Sequence, residues 1–235
     1  MELQTLMSEL EALGTEQTRK TFYRHGAKDP FFGVKVRDLK KFVKHVKKDH
    51  ELSLALYATG NSDAMYLAGL AVDPKKISKE TLREWARGAY WYMLAECTVA
   101  WVAAESPYAG ELAREWMASE EELITVAGWS TYASYLSITP DEELDLDEIR
   151  NLLANVETSI HASPNRVRYN MNAFVIAVAS YVAPLTEKAK KVADTIGKVH
   201  VDVGNTACKV PLATEYIGKV EARNKIGAKR KTCRC

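Results

Sequence analysis

The stretch ELAREWMASEEELITVA at residues 111–127 carries the pattern that decides the fold. Leu112 and Trp116 stand four residues apart, and apolar positions resume at helical spacing from Leu123. Between the two runs Ser119 is followed by three glutamates, which is typical of a helix start, where a hydroxyl caps the first turn and acids favour the helix dipole. The stretch therefore predicts two helices joined by a short turn.

The same helical spacing recurs along most of the chain, and the alternation typical of strands is rare. Glycine, proline or a capping residue interrupts it at intervals, which cuts the chain into helices of roughly 10 to 20 residues. Two such helices make a unit of roughly 40 residues, the size of a HEAT or armadillo repeat. We therefore expect an all-α superhelix of HEAT-like or ARM-like helical repeats, an α-α solenoid, although no self-similarity at a fixed period is evident. Residues 1–228 would form one domain, and residues 229–235 a basic, disordered tail.

One segment departs from the helical pattern. Between Lys198 and Pro211 valines alternate with polar residues, and Gly204-Asn205 is typical of a tight turn. The alternation predicts a short β-hairpin near residues 199–210, which could wedge against DNA. A structured loop between the last two helices is the alternative.

The net charge of +1 hides an uneven distribution of charge along the chain. Residues 19–48 hold 11 Lys and Arg against two acids, and residues 188–235 hold 12 against four. In contrast, residues 105–157 hold 13 acids against two Arg. Basic ends of this kind favour a polyanionic partner, whereas solvated helix faces are the ordinary explanation of a charge run.

Several classes of function lack their sequence motifs. The chain has no GxxxxGK[ST], GxGxxG, HExxH or GxSxG motif, so phosphate loops, dinucleotide sites, zinc peptidases and esterases are not indicated. The four cysteines have neither CxxC spacing nor a nearby histidine, so we expect no metal site and no cofactor. The longest apolar run is too short to span a bilayer, and the amino terminus does not resemble a signal peptide. We expect a cytoplasmic, monomeric protein with exposed thiols at Cys233 and Cys235.

One aromatic cluster could carry chemistry. Helical spacing over residues 83–96 would place Trp85, Tyr92 and Glu96 on nearly one side of a helix. An aromatic face beside a carboxylate can hold a cationic base by cation–π attraction and stabilise a cationic transition state. Core packing with one carboxylate at its edge is the alternative.

Four segments together resemble the DNA alkylation repair family, the HEAT-like-repeat (AlkD-like) DNA glycosylases. The resemblance covers roughly residues 15–220 and implies an all-α superhelix whose concave, basic face binds duplex DNA through the backbone. It also implies excision of cationic N3- or N7-alkylated purines without base flipping. The four segments are SDAMYLAGLAV at 62–72, YWYMLAE at 90–96, WMAS at 116–119 and RVRYNMNAFVI at 166–176.

The resemblance implies a catalytic helix. In that family a Trp-Trp-Asp-x-x-Asp helix supplies an aromatic side chain and a catalytic Asp four residues later. Alignment places these roles on Trp91, Tyr92 and Glu96. The family's phosphate-gripping Arg aligns near Val126, and its second active-site Trp falls in 174–178, where this chain has a Phe and aliphatic residues.

These departures make the chain more similar to the branch of the family regarded as binding branched or distorted DNA without glycosylase activity. We therefore expect a protein that binds duplex, branched or damaged DNA and recognises its shape through phosphate contacts. An active alkylpurine glycosylase is one alternative, and a helical-repeat scaffold that binds a protein through the acidic residues 105–157 is another. The expected DNA contacts are Arg24, Lys28, Lys35, Arg37, Lys40, Lys41, Lys44, Arg166, Arg168, Lys198, His200, Asn205, Lys209 and Lys219.

Overall fold

The computed structural model describes residues 2–234, and all regular secondary structure in this range is helical, so the all-α prediction is confirmed. No helix in this range is both long enough and apolar enough to cross a membrane. The α-helices are α1 (Leu3–Leu13), α2 (Glu16–Arg24), α3 (Val36–Val46), α4 (His50–Ala58), α5 (Ser62–Ala71), α6 (Lys79–Gly88), α7 (Ala100–Ala104), α8 (Ala109–Met117), α9 (Glu122–Ile138), α10 (Leu146–Ser159), α11 (Asn165–Tyr181), α12 (Thr186–Ile196) and α13 (Ala213–Glu221). A π-helical stretch, Leu94–Val99, runs directly into α7, and 3₁₀ turns lie at Asp141–Glu143, Ile160–Ala162 and Ala183–Leu185.

The stretch at 111–127 folds as the expected pair of helices. In the turn between α8 and α9, the Ser119 Oγ accepts the Glu121 N–H at 3.1 Å. The two helices approach closely because Gly128 has no side chain: a Cβ there would lie 2.5 Å from the Met117 nitrogen. Helix α9 can therefore pack almost backbone to backbone against α8.

The helices form two layers. In the inner layer α3, α5, the π-helical stretch with α7, α9, α11 and α13 each pack against the next. In the outer layer α4 packs on α5, α8 on α9, and α12 on α11, while α10 packs on α11 and α12. Three of the inner helices, α5, α9 and α11, carry much of the core, and α5 is buried over its whole length. Packing of successive helix pairs is the arrangement expected of helical repeats.

Part of the acidic middle of the chain forms ion pairs that join α6, α8 and α10. Lys79 of α6 pairs with Glu111 of α8 at 2.7 Å, and Arg114 of α8 pairs with Glu148 of α10 at 3.1 Å. A third pair, Arg83 with Glu115, links α6 and α8 at 2.6 Å. Several acidic side chains of residues 105–157 therefore form ion pairs within the chain.

The β-hairpin prediction is wrong, and the alternative of a structured loop is right. Residues 198–212 form an extended loop without strands, named here the 198–212 loop. The alternation in sequence reflects burial, since Val199 is buried and Val201 is half-buried, while His200 between them faces water. The side chain of Asn165 takes the place of a second strand: its Oδ1 accepts the Asp202 N–H, and its Nδ2 donates to the Asp202 carbonyl, both at 2.8 Å.

The prediction of a disordered tail from Lys229 also differs from the structure. Residues 225–234, named here the C-terminal strap, run back along the inner layer and touch the carboxyl ends of α11, α9, α7 and α5 in that order. The contacts are Gly227 N–H to Ser180 O, Arg230 N–H to Ser137 O, Cys233 N–H to Glu105 Oε1, and Arg234 Nη1 to Val72 O, at 2.8–2.9 Å. Cys233 is buried rather than exposed, and Cys235 lies outside the described residues.

Candidate nucleic-acid interface

A cleft of about 520 Å³, named here the central cleft, lies where the end of α2, residues 90–92 and the starts of α9 and α11 approach the 198–212 loop. It brings together four of the residues singled out in the sequence, Arg24, Trp91, Tyr92 and Arg166. Their neighbours in the cleft wall include tyrosines from three different segments. An aromatic cleft with cations is suited to bind anionic, ring-containing ligands.

The carboxylate of Glu96 is fully engaged at the back of this cleft. Arg166 donates to both of its oxygens, with 2.7 Å from Nη2 to Oε2. Asn170 Nδ2 adds a third hydrogen bond to Oε1 at 2.8 Å. Both charged side chains are largely buried, with 16% of Arg166 and 11% of Glu96 exposed. A buried bidentate pair of this kind is strongly held, since breaking it leaves one charge without compensation.

The guanidinium of Arg166 also lies between two aromatic rings. Its Cζ is 3.9 Å from the ring centroid of Tyr92 and 4.1 Å from that of Tyr169. Two ring faces and a carboxylate make the environment that would hold a cationic base. In this chain its own arginine fills that place, so the Arg166 guanidinium is already paired with Glu96.

The two tryptophans of the predicted aromatic site, Trp91 and Trp85, have surroundings that differ from those of Tyr92. Trp91 is buried, and its Nε1 donates to the His25 carbonyl at 2.8 Å. Trp85 does not share a helix with Tyr92, because α6 ends at Gly88. Trp85 instead stacks on Tyr57 in the core, with ring centroids 4.0 Å apart.

Tyr92 is the residue of the predicted catalytic set whose hydroxyl contacts another residue of the cleft wall. Its hydroxyl lies 3.0 Å from His25 Nδ1. Burial raises the pKa of Tyr92 to about 12, with the Arg166 charge opposing that rise. The phenol is therefore neutral at physiological pH and can donate to His25 or to a ligand. His25 and Asn170 were missed in the sequence, since 67 and 74 residues separate them from their partners in this site.

The basic segment that leads into the cleft is fixed by a buried aspartate. Asp63, at the start of α5, accepts the backbone N–H groups of Phe32, Gly33 and Val34 at 2.7–3.1 Å. Burial raises the pKa of Asp63, while these three hydrogen bonds act to lower it. The turn between α2 and α3 is thus tied to the inner layer, and it carries the predicted cations Lys28 and Lys35.

Most predicted DNA contacts are exposed, but the structure brings few of them together. Among the predicted contacts of the α2–α3 region, only Arg24 lies in the wall of the central cleft. The predicted contacts of the 198–212 loop also lie outside this wall, which that loop lines with Asp202, Val203, Gly204 and Cys208. Arg168 is half-buried, and its Nε has no hydrogen-bond partner among residues 2–234. The exposed ones are Arg24, Lys28, Lys35, Arg37, Lys40, Lys41, Lys44, Lys198, His200, Asn205, Lys209 and Lys219.

A metal site is not formed by the described residues: in 2–234 no three His, Cys, Asp or Glu side chains are grouped so that they could hold an ion. The polar groups of the central cleft are instead arranged for hydrogen bonding and for cation–π contact.

Comparison with known proteins agrees with this architecture. Over its full length the chain superposes on a solved structure of similar length, with a TM-score of 0.91, 42% sequence identity and coverage of 100% of both chains. That structure is described as "a new family of proteins related to the HEAT-like repeat DNA glycosylases with affinity for branched DNA structures". The likeness supports the expected helical-repeat fold.

Two curated relatives cover nearly the whole chain. The uncharacterized protein Lmo0209 of Listeria monocytogenes is 37% identical over 226 residues, which are 94% of this chain and 97% of the relative. The uncharacterized protein Lin0241 of Listeria innocua is 37% identical over 227 residues, with the same coverage. The family model described as "DNA alkylation repair enzyme" matches residues 6–217. The chain therefore belongs to the DNA alkylation repair enzyme family.

Proposed function

We propose that this protein binds branched or distorted DNA through backbone contacts and does not excise bases. The solved structure that is 42% identical over the full length is described as having affinity for branched DNA. Exposed cations on α2, α3 and the 198–212 loop supply positive charge for phosphates, and one of them, Arg24, lines the central cleft. Contacts to phosphates carry little sequence information, so the chain would recognise the shape of DNA rather than its sequence.

The position of Arg166 is the observation that carries the proposal against excision. An alkylpurine glycosylase must place a cationic base against aromatic faces and a carboxylate. Here the Arg166 guanidinium occupies the space between Tyr92 and Tyr169 and neutralises Glu96. Displacing it would leave a buried charge unpaired, at a cost of about 3–5 kcal/mol. The site is therefore satisfied internally and offers no free carboxylate to a cationic base.

The salt dependence of binding tests the first part of the proposal, that the protein binds branched DNA through phosphate contacts. Linear duplex, three-way and four-way junctions are titrated with the protein, and binding is followed by fluorescence anisotropy at several salt concentrations. We expect tighter binding to the junctions and a dissociation constant that rises steeply with salt, because phosphate contacts release counterions. A flat salt dependence or equal affinity for linear and branched DNA would overturn the proposal.

Paired charge-neutralising variants locate the contacts. Lys40 and Lys44 are exposed and one helical turn apart on α3, while Lys188 and Lys191 are exposed on the outer helix α12. The Lys40→Gln/Lys44→Gln variant should lower the slope of log Kd against log salt by about 2, since each phosphate contact contributes about 0.9. The Lys188→Gln/Lys191→Gln variant is the control, with the same loss of charge, and should keep the native slope.

Base release tests the second part. A duplex that contains N3- or N7-methylated purines is incubated with the native chain, and free base is measured by chromatography. We expect no release above the rate of the buffer control. Release by the native chain that is lost in Glu96→Gln would favour the alternative of an active glycosylase, to which the family description points.

A further inference from the structure

We propose that a second cleft, between α11, α13 and the start of the C-terminal strap, binds unpaired nucleotides at a DNA branch. The inference rests on the proposed function, because it names the part of branched DNA that this surface would recognise. The second cleft has a volume of about 580 Å³ and shares Tyr169 with the central cleft. A strand that leaves a duplex at the central cleft would therefore reach it directly.

Aromatic side chains make the second cleft suited to nucleobases. Tyr169, Tyr181 and Tyr216 line the second cleft together with small aliphatic side chains of α11. Tyr216 is 48% exposed, and among residues 2–234 the only other large hydrophobic residue with comparable exposure is Tyr23, which lines the central cleft. Exposed aromatic rings in a cleft suit stacking with nucleobases, which tolerates any sequence because every base has a π face.

The second cleft also carries cations that have no acidic partner among the described residues. Arg223, Lys225 and Arg230 line the same cleft, and none of them forms an ion pair with another residue in 2–234. No acidic residue is among the residues that line the cleft. The backbone beneath these cations is fixed, since the Gly227 N–H donates to the Ser180 carbonyl at 2.8 Å. The rim thus carries positive charge on an ordered frame and complements the phosphates of a nucleotide.

The two features together favour unpaired nucleotides over intact duplex. In a duplex the faces of the bases are stacked on each other, so the tyrosines could touch only sugars and phosphates. A nucleotide that has left the stack presents both a base face for the rings and a phosphate for the cationic rim. The volume lies within the range of pockets that take ligands of this size.

Two three-way junctions with identical arms provide the test. One is fully paired, and the other has two unpaired thymidines at the branch; binding of each to the full chain is measured by fluorescence anisotropy. We expect the native chain to bind the junction with unpaired thymidines at least fivefold more tightly. Tyr216→Ala should abolish that preference while it keeps the affinity for the paired junction, and Tyr216→Phe, which retains the ring, should keep the preference.

The outcomes separate this inference from the proposed function. Equal affinity of the native chain for the two junctions, or a preference that persists in Tyr216→Ala, would overturn the inference alone. Failure to bind either junction would overturn the proposed function and this inference with it. Because Tyr216 is exposed, its substitution should not impair folding, and a thermal melt of each variant checks this.

Discussion

At the scale of single residues, Arg166 shows how one side chain can change the chemistry of a site. Its guanidinium pairs with Glu96 on one edge and is covered by the rings of Tyr92 and Tyr169 on its faces. Without the arginine, the remaining three groups would form a pocket for an organic cation. Under the proposed function, the chain keeps the aromatic and acidic residues that the resemblance assigns to a glycosylase site, and Arg166 takes the place of a cationic base.

Arg166→Ala should destabilise the fold strongly. The change leaves the Glu96 carboxylate buried without its cation, and we expect the free energy of unfolding in urea to fall by about 3–5 kcal/mol. Arg24→Ala removes an exposed arginine from the wall of the same cleft and should change stability by less than about 0.5 kcal/mol. Native stability in Arg166→Ala would contradict the buried ion pair.

The sequence identified this site only in part, and the reason is the range of its contacts. Tyr92 and Glu96 are close in sequence, and the helical period predicts that they share a side. Arg166 lies 70 residues from Glu96, and an arginine in the first turn of a helix resembles any solvated cation until its partner is known. Trp85 was misplaced because the end of α6 at Gly88 interrupts the period on which the prediction relied.

At the scale of elements, glycine controls how closely the helices approach. Gly128 of α9 faces the backbone of α8, where a Cβ would lie 2.5 Å from the Met117 nitrogen and 2.9 Å from the Trp116 carbonyl carbon. Gly218 of α13 has no atom within 4 Å of a Cβ built on it. Both glycines lie in helices, but only Gly128 is in close contact with a neighbouring helix. Substituting each by alanine therefore distinguishes the effect of packing from the effect of helix propensity.

Gly128→Ala and Gly218→Ala should therefore have opposite effects on stability. Alanine favours a helix over glycine by up to about 1 kcal/mol, and at Gly218 this gain should raise the melting temperature. At Gly128 the methyl group would force α8 and α9 apart, and overpacking should cost about 1–3 kcal/mol. Thermal unfolding of both variants tests this; a melting temperature that rises in both would contradict the close contact of α8 and α9.

The 198–212 loop illustrates what a pattern can and cannot specify. Alternation of valines with polar residues indicates that one side of an extended segment is buried. It does not indicate which groups satisfy the backbone, and here the amide of Asn165 does so instead of a second strand. The helices were predictable because their hydrogen bonds are local, whereas the pairing of an extended segment depends on distant residues.

At the scale of the whole molecule, the C-terminal strap joins four helices of the inner layer. Residues 225–234 cross from the end of α11 to the end of α5, and Arg234 donates to the Val72 carbonyl at 2.8 Å. Cations near the carboxyl ends of helices are favoured by the helix dipole. The basic composition that predicted a detached tail therefore serves to hold the tail on a row of helix ends.

Glu105 is the acidic residue that holds the end of the C-terminal strap. Burial acts to raise its pKa, but hydrogen bonds from Thr232 and Cys233 and the charge of Arg234 outweigh burial and hold the pKa of Glu105 below its ordinary value. A carboxyl group with a lowered folded-state pKa contributes its full stabilisation above its unfolded pKa of about 4.3. The contribution is lost as the pH falls through the folded-state pKa, when the carboxylate becomes protonated.

Glu105→Gln should therefore destabilise the protein at neutral pH and matter less in acid. We expect a loss of about 1–3 kcal/mol in the free energy of unfolding at pH 7, since hydrogen bonds to a charged acceptor are replaced by weaker ones. The difference from the native chain should shrink as the pH falls below about 4.3. Glu142→Gln, at an exposed position, is the control and should follow the native curve. Urea unfolding of each variant is measured at pH 7 and below about pH 4.3. A loss of stability in Glu105→Gln that is equal at both pH values would show that the charge of Glu105 does not hold the C-terminal strap.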